Sequence, residues 1–167
     1  MVEQKASQQS QADSDSNAQK PYRACVVGVF VSTQDKVLLA KRSDLPAWQF
    51  PQGGVDPGET AKQALQREMH EEIGCQNFEI LQQSSKDWPY DFPADMNTHI
   101  SRKYRGQIQS WFLCRLDSKE QADLSKASSK EFCQLEWVDP QEALKRVVDW
   151  KKNVYQAALS DLGLLEK

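Results

Sequence analysis

"GGVDPGETAKQALQREMHEEIGC" occupies residues 53–75. Thr60 followed by Gln63 has the form of a capping box, and Gly74 is a suitable left-handed stop, so the spacing predicts a helix over 61–73. Within it Glu68, Glu71 and Glu72 sit at i, i+3 and i+4. Like charges at that spacing destabilise a helix by ~0.2–0.5 kcal/mol per pair. Projected at about 100° per residue, Ala64, Leu65, Met69 and Ile73 form the apolar stripe, and Glu68 and Glu72 fall inside it while Glu71 flanks it. Partly burying an unpaired carboxylate costs several kcal/mol, and Arg67 is the one arginine or lysine within a turn. A hard divalent cation such as Mg²⁺, which takes carboxylate oxygens and completes its shell with water and phosphate, converts that repulsion into affinity. An exposed charged face or a salt-bridge network is the plain alternative.

The chain around the helix has 167 residues, 39% of them hydrophobic, enough for one domain with a packed core. A formal net charge of −3 supplies no global field for a polyanion, which disfavours long duplex DNA and confines any nucleic-acid contact to a local basic patch. "SRKYRG" (101–106) is the candidate for such a patch, with a solvated turn as its alternative. Cys25, Cys75, Cys114 and Cys133 stand singly, without a CxxC pair. They read as buried reduced thiols of a cytoplasmic protein. The longest apolar run, "ACVVGVFV" (24–31), is far short of the ~20 residues that span a bilayer. Neither a membrane segment nor a secretion signal is expected.

Residues 1–20, rich in Gln, Ser and Ala, are expected to form a disordered tail, with order beginning near Pro21. "ACVVGVFV", "KVLLA" (36–40), "FEILQQ" (78–83), "IQSWFLCRL" (108–116) and "QLEWV" (134–138) read as strands. Asp139 with Pro140 starts a second helix, and a third is expected from about Trp150 to Leu162. The pattern is α/β, a mixed sheet covered on both faces. "LPAWQFPQGGVDPGE" (45–59) is long for a connector and reads as a working loop.

Gly53, Glu59, Arg67, Glu68, Glu71, Glu72 and Gly74, at these offsets, resemble the Nudix box over all 23 residues of the quoted stretch. Cys75 departs from the usual aliphatic residue but is apolar. The resemblance implies a Nudix-type α/β/α sandwich over 21–167, a hydrolase acting on a phosphoanhydride, and a Mg²⁺ cofactor (with Mn²⁺ as a substitute) held by Glu68, Glu71 and Glu72 with the Gly53 backbone close by. It also implies that Glu59 and Arg67 form an orienting pair.

Beyond the box, "YR" (22–23), "WQFPQGG" (48–54), "WPYDFP" (88–93), "RGQIQSWF" (105–112), "KEF" (130–132), "EWV" (136–138) and "VVDWKKNVY" (147–155) resemble the bacterial RNA pyrophosphohydrolases and dinucleoside polyphosphate hydrolases. That branch implies a nucleotide substrate, either 5′-triphosphorylated RNA or a dinucleoside polyphosphate. It further implies Glu131 as a metal ligand or base, Arg23 and Lys151 as phosphate contacts, Trp150 as a base-stacking ring, and Gln107 and Gln109 as substrate-binding glutamines. Ile108 and Ser110 stand where the RNA enzymes often carry lysines. Surface charge for Glu131, Arg23 and Lys151, and core packing for Trp150, are the competing readings. A housecleaning nucleotide or ADP-sugar pyrophosphatase and a non-catalytic nucleotide-binding regulator remain alternative functions.

Overall fold

The computed structural model describes residues 16–117 and 120–166. The helix anticipated at the centre is present. We label it α1 (Ala61–Ile73); the Thr60 side chain accepts from the Gln63 N–H, Gln63 returns the bond, and Gly74 closes the helix at φ 64°. Around it lie β1 (Tyr22–Phe30), β2 (Val37–Arg42), β3 (Trp48–Gln49), β4 (Gln52–Gly54), β5 (Phe78–Gln83), β6 (Trp88–Asp91), β7 (Gly106–Leu116) and β8 (Phe132–Val138). The remaining helices are α2 (His99–Lys103), α3 (Pro140–Arg146) and α4 (Lys152–Asp161).

The strands divide into two sheets where the sequence suggested one. In the first, β1 pairs parallel with β7 and antiparallel with β4, while β5 and β6 both lie antiparallel along β7. The second is an antiparallel triplet, β3-β2-β8. β1 is apolar on both faces because helices cover both. Val27 and Val29 join Phe50, Trp111, Tyr155 and Leu159 in one core, and Val26 and Phe30 join Leu65, Met69, Ile73 and Phe112 in the other. α4 therefore seals one side and α1 the opposite side, giving the α/β/α layering.

Three expectations are modified. The disordered tail expected over residues 1–20 lies mostly outside the described residues; within 16–20, residues 16–18 are helical and Lys20 Nζ donates to Ser101 O at 3.1 Å. Cys25, Cys75 and Cys114 are buried, but Cys133 is exposed. Burial raises the buried thiols, Cys25 to about 11 and Cys75 to about 12, which keeps them protonated. The third helix begins at Lys152, with Asp149–Lys151 forming a separate 3-10 turn. Among the described residues, no helix is long and apolar enough to cross a membrane.

Candidate active site

α1 presents the acidic groups as its periodicity requires. Glu68 and Glu72 are buried at 7% exposure each among the helix's apolar contacts, and Glu71 stands at the edge. Arg67 is the hub of the flank. It bonds Glu59 through two atoms, at 2.6 and 2.9 Å, and reaches Glu68 at 2.8 Å and Glu71 at 3.3 Å. The pair with Arg67 draws the Glu59 carboxyl down to about 2. The loop between them is folded back by the Glu59 carboxylate accepting from the Asp56 N–H, which lets residues eight apart meet.

Arg67 does not reach Glu72. Glu72 Oε2 is buried with no hydrogen-bond partner among the described residues. Burial first, and then the facing Glu131 carboxyl, raise Glu72 to about 8, so Glu72 keeps its proton at neutral pH. Burial likewise raises Glu68, against the opposing pull of Arg67.

Glu131 arrives from the lead-in to β8. Its carbonyl accepts from the Ser43 N–H, and its carboxylate is held by Arg42 at 3.4 Å. A register shift between Lys41 and Arg42 turns the arginine toward it, and Asp44 grips the same guanidinium at 2.8 Å through both oxygens. Arg42 is the site residue that the sequence reading missed. The bulge at the end of β2 that aims it leaves no mark in residue spacing.

β4 brings the backbone against these groups. A Cβ on Gly53 would lie 1.9 Å from Glu68 Cδ, and one on Gly54 would lie 2.5 Å from Arg23 Nη2. Only hydrogen at these positions lets the carboxylate and the guanidinium lie flat on the strand.

Strand register assembles the next row. Arg23 of β1 pairs with Gln107 of β7, and Gln107 pairs with Tyr90 of β6. Gln107 Oε1 accepts from Tyr90 OH at 2.7 Å and from Gln109 Nε2 at 3.0 Å. With its oxygen engaged twice, the amide presents its N–H groups outward. Gln109 itself is fully buried behind Gln107 and also donates to Gln52. Of the two glutamines proposed for substrate, Gln107 faces the cleft and Gln109 orients it.

Arg23, Gln107, Glu68, Glu72, Glu131 and Lys151 line one cleft of about 760 Å³. Trp150 stands at its rim at 37% exposure, tilted 5.5 Å from the Tyr90 ring and edge-on to Phe92. Lys151 is buried with Nζ donating to Gln49 Oε1 at 3.3 Å, and burial lowers it to about 8. A larger groove of about 1000 Å³ runs past Thr33, Phe78 and Trp137, away from every carboxylate of α1.

The donor set is oxygen-rich and includes an unpartnered buried carboxylate oxygen, which fits a hard divalent cation. Among the described residues, no three His, Cys, Asp or Glu side chains form a ready cage. Arg67 takes up an oxygen of Glu68 and one of Glu71.

The NUDIX domain profile matches residues 21–158. The chain is 40% identical over 149 residues to an RNA pyrophosphohydrolase of Gluconobacter oxydans (strain 621H), covering 87% of this chain and 88% of that one. It is 42% identical over 143 residues to an RNA pyrophosphohydrolase of Francisella tularensis subsp. mediasiatica (strain FSC147), covering 83% and 92%. A NUDIX hydrolase from Nitrosomonas europaea superposes with a TM-score of 0.64 at 18% identity over 86% of this chain and 89% of that one, a likeness of fold.

Proposed function

Since the chain belongs to the NUDIX family, we propose that it is a divalent-metal-dependent hydrolase of phosphoanhydride bonds. It removes pyrophosphate from the 5′-triphosphate end of RNA, with dinucleoside polyphosphates such as diadenosine tetraphosphate as further substrates. The observation that carries the reading is the buried Glu72 carboxyl, with Oε2 unpartnered among the described residues, facing Glu131 in a cleft that also holds Arg23 and Lys151. An acid cluster and cations in one cleft suit a polyphosphate bound with its counter-ion.

Glu68, Glu71, Glu72 and Glu131, with the Gly53 backbone, would hold Mg²⁺ or Mn²⁺. When bound, the ion neutralises the diphosphate and lowers the pKa of its water. To serve as ligands, Glu68 and Glu71 would leave Arg67, which would keep Glu59. Glu131, steadied by Arg42, accepts the proton of the attacking water on its carboxylate as the phosphorus–oxygen bond to pyrophosphate breaks. Arg23, which forms no ion pair among the described residues although its charge is felt at Glu68, binds phosphate oxygens. Lys151 regains its full charge beside an anion. Gln107 offers its fixed N–H groups to an acceptor on the ligand. Trp150 stacks a base, a contact worth ~1–3 kcal/mol. The cytoplasm, where RNA and nucleotides reside, is the compartment in this reading.

Turnover is measured side by side on triphosphorylated RNA and diadenosine tetraphosphate with Mg²⁺ or Mn²⁺. Pyrophosphate or mononucleotides should appear. Inactivity on both, with cleavage of ADP-ribose or free deoxynucleotides, overturns the substrate assignment.

A further inference from the structure

The "SRKYRG" run contributes cations that the reaction above does not use. α2 begins at the cleft, since Thr98 and Ile100 line it. Arg102 follows Thr98 by four residues and Lys103 follows Ile100 by three, so each stands one turn farther along the face that its cleft-lining neighbour opens. Both are exposed. Asn97 Oδ1 accepts from Arg102 Nε at 3.1 Å, and the Lys103 ammonium lies 5.6 Å from the Tyr104 ring centroid. Neither forms an ion pair among the described residues.

Arg105 of the same run is different. It is clamped to Asp91 at 3.0 and 3.2 Å and lies over the Tyr22 ring, which makes it structural. Lys20 adds a third cation by bonding Ser101 O of α2. The nearby Asp95 is exposed and forms no ion pair among the described residues. A patch of positive charge therefore adjoins the rim of the cleft in a chain whose formal net charge is −3.

We propose that this face of α2 is the landing surface for single-stranded RNA downstream of the reacting 5′ end, with Arg102 and Lys103 on backbone phosphates. The inference rests on the RNA reading of the cleft and adds to it. A mononucleotide or dinucleotide ends inside the cleft, whereas a longer strand leaves across its rim. Unpaired cations beside that rim attract phosphates without regard to sequence.

The test compares the parent with R102A/K103A, a substitution of exposed side chains whose folding is checked by melting temperature. Anisotropy of a 5′-monophosphorylated 12-nucleotide single strand is read against salt, alongside pyrophosphate release from a triphosphorylated dinucleotide. Two lost phosphate contacts should reduce the log–log salt slope by about 1.4, at ~0.7 each, which amounts to on the order of tenfold weaker binding at 0.1 M salt. Dinucleotide turnover should stay within about twofold. Equal losses on both substrates, or an unchanged slope, overturn the proposal. Failure of the parent to bind the 12-nucleotide strand overturns it too and leaves small-nucleotide hydrolysis intact. A parent that binds the strand with the reduced slope in the variant, yet releases no pyrophosphate, keeps the landing surface and sinks the catalytic reading.

Discussion

Gly53 and Gly54 are neighbours on β4, yet a methyl group on each strikes a different functional side chain, Glu68 in one case and Arg23 in the other. Gly53→Ala should therefore act like loss of an acid, cutting kcat, while Gly54→Ala should raise KM through a displaced phosphate contact. Steady-state kinetics separate them, and identical profiles would count against the assignment. Glu71→Gln should lower turnover by about 10²–10⁴, the range for an essential catalytic group, with the melting temperature unchanged. Tyr90→Phe removes one of the two donors that fix Gln107. It should raise KM by a few-fold, and Tyr90→Phe combined with Gln107→Ala should be no worse than Gln107→Ala alone, as expected for residues that act in series. The acids and Arg67 were legible in the sequence because helical spacing places them. The exposure of Trp150 was not, because a tryptophan at a helix start reads alike as core or as rim until β6 and Phe92 are positioned beside it.

α1 and the segment leading into β8 hold the two halves of the acid site, and the Glu131 carboxyl helps to raise Glu72 across the gap. In metal-free protein Glu72 titrates near 8, whereas its ordinary value is 4.5. Between those values the unfolded chain binds fewer protons than the folded one. The stability contributed by the Glu72 proton is thus complete below about 4.5 and is lost as pH rises toward about 8. Thermal melts in chelator from pH 5 to pH 8 should show the parent falling more steeply than Glu72→Gln; parallel curves would place the proton elsewhere. Elements with a strong local signal were readable, α1 from its caps and β1 from its apolar run. β6 was not. It is four residues long with Pro89 lacking an N–H, so it exists as a strand through its register with β7. α2, with five residues, is too short to show a helical period.

For the molecule as a whole, divalent ions and folding should be linked. An ion at a hundred times its dissociation constant stabilises the native state by about 2.7 kcal/mol. For a domain of this size that corresponds to a melting-temperature rise of roughly 5–10 °C. Scanning calorimetry with and without Mg²⁺ or Mn²⁺ checks it, and Glu68→Gln should abolish the rise. That helices cover both faces followed from the order of strands and helices along the chain. The division into two sheets did not, since pairing partners are set by long-range register that no local pattern encodes. The same long-range wiring shapes the opening motions. Asp123 N–H donates to Ile73 O and Ser129 N–H to Glu71 O, so the chain that delivers Glu131 hangs from the last turn of α1. Fraying of that turn frees both banks of the cleft together. Amide hydrogen exchange at Asp123, Ser129 and the end of α1 should proceed as one cooperative unit, slowed in concert when an ion bridges the banks.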